Sequence, residues 1–322
     1  MPRKGQNPAK KIEKVAKPER VTVALITYIP FLHGYYQHSL DVLEVCLDSI
    51  LANTTFPYDV LVFDNASCPE VVAALRTRHQ AGEIDYLLLS GKNLGKVGAW
   101  NMIFQGAPGE LIAYADSDVY FFPGWLEKHL EVMETFPEVG TVSGLPRRQR
   151  TEFCKHTLER VHTIDGMQVE EGNLIPEDWI RDHALSLDKV DQLERDLERT
   201  DTRVTFGGVQ AYVTATHFQF LVRKSDVEPY LPFAYTRPMG PDVAQFDRAI
   251  DGSGRLRLAV AERMVYHIGN VYDEAALARV VGESKRVWAQ PAAKKRRSIL
   301  HRGPVKRVLM RLYDWLFQLY FE

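Results

Sequence analysis

Short apolar runs alternate with amphipathic stretches from Val21 onward, and this rhythm excludes most ways in which such a chain could fold. The runs 21–27, 59–63, 84–89 and 111–116 have the length of strands, and their Val, Ile, Leu and Phe content predicts burial on both faces. Helical spacing fills the gaps. Ser39 is placed to cap a helix carrying Leu40, Leu43, Leu47, Ile50 and Leu51, and Pro69 opens one that turns Val72 and Leu75 inward. A third helix spans about 97–104, and Pro123 starts a fourth with Leu126, Leu130 and Met133 on one face. Strand, helix and strand in succession predict an α/β fold: a Rossmann-like, mainly parallel central sheet with flanking helices. With 322 residues and 45% hydrophobic content, the chain can bury a core of that size.

Beyond Gly144 the rhythm loosens. Residues 147–203 read as an insertion in which 185–199 forms an exposed, densely charged helix anchored by Leu185, Leu193 and Leu197. Strand character returns at 209–214, 218–222, 256–260 and 264–267. The stretch 1–20 is a disordered basic leader without an apolar core, so it is no secretory signal. No run reaches the ~20 apolar residues of a membrane span, which places the expected protein in the cytoplasm, at most at the inner face of the cell membrane. The main domain is expected over 21–288, and 289–322 form a basic amphipathic tail. There Lys294, Lys295, Arg296 and Arg297 precede a helical face of Val305, Val308, Leu309, Leu312, Trp315, Leu316 and Leu319. Such a helix suits an anionic membrane surface; the alternatives are packing on the domain or a homo-oligomer formed through it.

A net charge of −2 argues against a nucleic-acid partner. The three cysteines, Cys46, Cys68 and Cys154, have no metal-ligand spacing and read as small hydrophobes in a reducing compartment.

Chemistry concentrates where strands end. The run 111–116 leads into Asp116-Ser117-Asp118, and two carboxylates one residue apart at a strand end are suited to holding a divalent cation against a diphosphate. The first run ends in Thr27-Tyr28 and the second in Asp64-Asn65-Ala66-Ser67; Asn93-Leu94-Gly95-Lys96 precedes a helix that carries Asn101. In open α/β sheets such ends meet in one crevice. The glycines let backbone approach a ligand, and a helix start offers free N–H groups to negative charge.

Together these motifs resemble the inverting nucleotide-sugar glycosyltransferases of family 2, which have the GT-A fold. The resemblance implies that Thr27, Tyr28 and Asp64 meet the nucleoside, and that Asn93, Gly95, Lys96 and Asn101 line the donor site. Asp116 would hold the ribose or a metal-bound water, and Asp118 would ligate Mn²⁺ or Mg²⁺ directly. His267, in Tyr266-His267-Ile268-Gly269, would reach the metal or the phosphates, and Gly207 and Gly208 would lie near the transferred sugar. The catalytic base is expected at Asp242, in Gly240-Pro241-Asp242, with Asp247 as the alternative. Trp100 stands where the family commonly has small residues, which leaves the pocket wall open.

The implied reaction moves a sugar from a uridine or thymidine diphosphate donor to a hydroxyl of a glycan or lipid-linked acceptor, in envelope or capsule polysaccharide synthesis. The insertion is where acceptor recognition would be encoded. A retaining GT-A transferase, a sugar-phosphate nucleotidyltransferase and a non-catalytic nucleotide-sugar-binding scaffold are the competing readings.

Overall fold

The computed structural model describes residues 15–148, 151–214, 216–237, 241–270 and 274–287, with a few isolated residues before 15. The basic tail at 289–322, with its membrane or oligomer reading, lies outside the described residues, as does Gly240.

The first half of the chain builds β1 (Val21–Thr27), α1 (Ser39–Asn53), β2 (Tyr58–Asn65), α2 (Pro69–Gln80), β3 (Tyr86–Ser90), α3 (Gly95–Gly106), β4 (Leu111–Asp116), β5 (Val119–Phe121), α4 (Trp125–Thr135) and β6 (Val139–Ser143). The insertion follows as α5 (Lys155–Val161), β7 (Gln168–Gly172), α6 (Glu177–Ser186), α7 (Val190–Leu197) and β8 (Asp201–Phe206). The chain then forms β9 (Val209–Val213), β10 (Gln219–Arg223), α8 (Lys224–Val227), α9 (Ala244–Gly252), β11 (Leu256–Val260), β12 (Val265–His267) and α10 (Glu274–Val287).

Ten strands make one sheet in the order β3-β2-β1-β4-β10-β6-β11-β9-β8-β7, and β12 pairs with β5 in a second. From β3 to β4 every ladder is parallel, as the βαβ rhythm predicts. The expectation of a mainly parallel sheet fails in the other half. There β10 runs antiparallel to both β4 and β6, and β9, β8 and β7 follow as an antiparallel meander beside β11. The sheet is mixed because β10 enters it against both of its neighbours and β8 turns directly into β9 by a hairpin, which needs no crossover helix.

Period-two alternation along β1 explains the two cores. Val21, Val23 and Leu25 face α1, α2 and α4, while Ala24 and Ile26 face α3 and α9. On the second face Trp100 is fully buried against Tyr114, Phe220, Phe246 and Phe104. It is therefore a core residue, and its size is explained by the aromatic packing beneath the crevice. Burying a ring of this kind contributes about 3 kcal/mol.

The charged stretch 185–199 is not one helix. Asp188 takes a left-handed conformation (φ 51°) that separates α6 from α7, and Leu185 is 62% exposed, so it anchors nothing. Leu193 and Leu197 do turn inward, against Ile175, Ile180, Ala184 and Tyr212.

Candidate donor and metal site

The strand order turns about β1 and β4, which is where an open α/β sheet offers its crevice. Register sets the motif residues abreast: Thr27 lies beside Asp64, and Ile26 beside Asp116. Thr27 and Asp64 are both buried. The hydroxyl of Thr27 has no protein partner, and the Asp64 carboxylate accepts N–H bonds from Ser67 at 3.3 Å. Burial pushes the Asp64 carboxyl upward, and the bonds from Ser67 pull it partly back. Tyr28 stands at the rim, 37% exposed, with its ring edge-on to Tyr36.

Two of the expected donor residues hold backbone in place around the crevice. Asn93 accepts from Gly95 N at 2.8 Å and from Asn65 Nδ2 at 3.1 Å, fixing the turn into α3. Asn101 is buried, donating to Phe233 O and accepting from Phe233 N, both at 2.8 Å. Both ends of its amide are used on that backbone. Its observed task is to pin the segment ahead of α9, away from any direct ligand contact.

Lys96, at the start of α3, reaches Asp116 Oδ2 at 2.6 Å, and the Tyr114 hydroxyl donates to Oδ1 at 2.5 Å. The ammonium also lies over the rings of Trp100 and Tyr114, at 5.4 and 5.8 Å. Each Asp116 oxygen thus already serves a side chain, which argues against Asp116 as a direct metal ligand. Asp118 differs: its Oδ1 is buried without a protein partner, and its Oδ2 faces His267 Nε2 at 3.4 Å. Burial pushes the Asp118 carboxyl up; the nearby His267 and Lys96 pull it down, and Asp116 pushes it up further.

The pairing of β12 with β5 sets His267 opposite Val119, and Ile268 N donates to Asp118 O at 2.7 Å. His267 Nδ1 lies 2.9 Å from Ser186 Oγ. Among the described residues no three His, Cys, Asp or Glu side chains stand close enough together to hold a metal ion. The donor set that does fit one is Asp118 with His267. One carboxylate and one imidazole leave room for diphosphate oxygens and water, the usual company of Mg²⁺ or Mn²⁺ at phosphate sites.

The two acids proposed as base part company. Asp242 is partly exposed, and its Oδ2 accepts from Thr236 N at 2.8 Å and Thr236 Oγ1 at 3.1 Å, bonds that hold its carboxyl below the ordinary range. Asp247 is 2% exposed and paired with the fully buried Arg257, with His217 Nδ1 at 3.5 Å. A carboxylate enclosed and committed in this way cannot take a proton from a substrate hydroxyl, so Asp247 is withdrawn as the alternative base.

Gly207 and Gly208 are also reassigned. They form the two-residue turn between β8 and β9 at φ of 56° and 83°, a geometry that glycine pairs favour in tight hairpins. A Cβ on Gly207 would meet Thr135, and Phe206 packs on Phe136, so the turn closes against the end of α4 instead of a donor sugar.

Sequence reasoning missed Tyr114, Ser186 and His183. Tyr114 hides in the apolar run of β4. The other two sit on α6, and their partner His267 is about eighty positions away, so no local pattern marks them. His183 is buried with both ring nitrogens unpartnered, stacked on Phe218 and perpendicular to His267.

The chain is similar to several known proteins. Residues 35–192 match the family described as Glycosyl transferase family 2. An uncharacterized glycosyltransferase of Bacillus subtilis (strain 168), YwdF, is 28% identical over 116 residues, 36% of this chain and 39% of that protein, so the chain spans well under half of its length. The solved structure of S. aureus TarS 1-349 superposes with a TM-score of 0.47 at 11% identity, covering 83% of this chain and 65% of that one. The mannosyltransferase PcManGT from Pyrobaculum calidifontis, solved with GDP-Man and Mn²⁺, gives 0.46 at 18% identity, covering 92% and 70%. Neither superposition is close enough to carry a ligand across. What the match over 35–192, just under half of the chain, shows is a glycosyl transferase family 2 domain there.

Proposed function

We propose that the chain is a metal-dependent, inverting GT-A glycosyltransferase that moves a sugar from a nucleoside diphosphate, uridine or thymidine favoured, to a hydroxyl of a glycan or lipid-linked acceptor. The observation that supports it most is the Asp118–His267 pair, in which a carboxylate with one orphaned oxygen faces an imidazole nitrogen at 3.4 Å. Two such groups turned toward each other beside a crevice are arranged to share a cation. When bound, Mn²⁺ or Mg²⁺ would offset the charge that builds on the departing diphosphate.

The chain's own residues do the rest. Lys96 brings a positive charge to the mouth of α3, where the helix start adds N–H groups, and Asp116 with Tyr114 fixes its direction. Asp64 and Thr27 offer an acceptor and a hydroxyl to the nucleoside. Asp242, ionised and steadied by Thr236, takes the proton of the attacking hydroxyl.

A thermal-shift screen of nucleotide sugars with and without Mn²⁺ tests the reading. The right donor at 100 times its dissociation constant adds about 2.7 kcal/mol of stability, and that gain should need the metal. Product analysis by NMR should show an inverted anomeric centre, and Asp242→Asn should lower transfer by about 10²–10⁴-fold while leaving donor affinity unchanged. Metal-independent binding or a retained anomer would overturn it.

A further inference from the structure

We propose that Ser186, on α6 of the insertion, is a positioning residue for His267 that fixes its imidazole with the proton on Nδ1 and the lone pair of Nε2 turned to Asp118. The inference rests on the metal reading of Asp118 and His267, and it assigns part of the insertion to the metal side of the site, where acceptor recognition had been expected.

Ser186 Oγ lies 2.8 Å from His183 O, and a carbonyl can only accept, so the hydroxyl proton goes there. What Ser186 then presents to His267 Nδ1, at 2.9 Å, is a lone pair, which requires the hydrogen on Nδ1. An imidazole that ligates a cation is neutral and carries one N–H, so Nε2, which faces Asp118 Oδ2 at 3.4 Å, is left as the ligand nitrogen.

Packing holds this arrangement from three sides. Gly269 sits at φ 80°, and a Cβ there would come within 2.6 Å of Ser186 O, so the turn after β12 is pressed onto the Ser186 peptide. The ring of His267 is boxed edge-to-face by His183 and Phe218, with centroids at 5.5 and 5.3 Å. Asp182 ties α6 down through Arg263 at 2.8 Å and Arg279 at 3.1 Å. Ser186 has an ordinary local bond within its helix end; the second partner, far away in sequence, is what gives it a role in the site.

Two measurements test the proposal. In wild-type protein with ¹⁵N-labelled histidine, loaded with diamagnetic Mg²⁺ and a nucleoside diphosphate, long-range ¹H–¹⁵N correlations, with His267 identified by its loss in His267→Gln, should show the Nδ1–H form; the Nε2–H form would overturn the proposal. In the second, Mn²⁺ is titrated in the presence of a nucleoside diphosphate and followed by EPR. Ser186→Ala should bind about 10–100-fold more weakly, with the imidazole ¹⁴N coupling lost, and Ser186→Thr should restore both. Wild-type affinity and coupling in Ser186→Ala would contradict it. Failure of the wild type itself to show ¹⁴N-coupled Mn²⁺ would instead remove the metal reading beneath it, and with it the inference, whatever the tautomer.

Discussion

Asp118 and Asp247 are both carboxylates whose ionisation burial opposes, yet their settings differ in kind. Asp247, in the first turn of α9, is enclosed with Arg257, which in turn donates to Phe153 O at 2.8 Å. Asp118 sits at the crevice with one oxygen unpartnered and the other turned to an imidazole. Burial raises the cost of ionisation for both. Arg257 and His217 outweigh that cost at Asp247 and hold its carboxyl below the ordinary range, whereas at Asp118 burial prevails and the carboxyl is pushed up. A charge that the protein has already neutralised serves the fold. One that it has left under-compensated at an accessible crevice is available to a ligand.

The sharpest way to break this comparison is to remove the neutralised charge. Asp247→Ala strands Arg257 in the core and should cost about 3–5 kcal/mol, read as a lower denaturant midpoint at unchanged slope. If Asp247→Ala were as stable as the wild type while transfer collapsed, Asp247 would belong to the chemistry after all.

A somewhat smaller effect concerns acid. His129 is buried and neutral, with Nδ1 at 2.6 Å from Trp125 O and Nε2 at 3.0 Å from Gln219 Nε2, and its pKa is pushed down to about 4. The unfolded chain binds a proton near pH 6.5 that the folded chain refuses. Stability should therefore fall by up to about 3 kcal/mol as pH drops from about 6.5 toward 4. The depressed carboxyl of Asp247 adds a further loss, confined to pH below the ordinary carboxylate range. Chemical denaturation at a series of pH values measures both. A flat profile between pH 6.5 and 4.5 would show that His129 is not held neutral.

How much of this was legible in the sequence follows the same division between local and distant causes. The strands β1, β2 and β4 are unbroken apolar runs because both of their faces are covered, and that burial is written locally. β6 reads Val-Gly-Thr-Val-Ser and β7 reads Gln-Val-Glu-Glu-Gly; they owe their strand form to neighbours in the sheet and carry no signal of their own. The crevice motifs at Asp64, Lys96, Asp116, Asp118 and His267 were legible because strand ends converge by topology. Asp242 could be placed ahead of Asp247 by its Gly-Pro-Asp setting, but what commits Asp247 to the fold is a buried arginine ten positions past it, which no local pattern marks. Gly207-Gly208 did carry a usable signal, a glycine pair between β-formers, which marks a hairpin before it marks a sugar site. Ser186 carried none.

The most direct measurement is the thermal unfolding of Asp118→Asn beside the wild type, each without ligand and with Mn²⁺ plus the donor found in the screen. The account predicts that the ligand-free variant is as stable as the wild type or more so, because a poorly compensated charge has been removed, and that the metal-linked gain of about 2.7 kcal/mol disappears. A ligand-free variant that melts early, or one that keeps the full Mn²⁺-dependent gain, would contradict it.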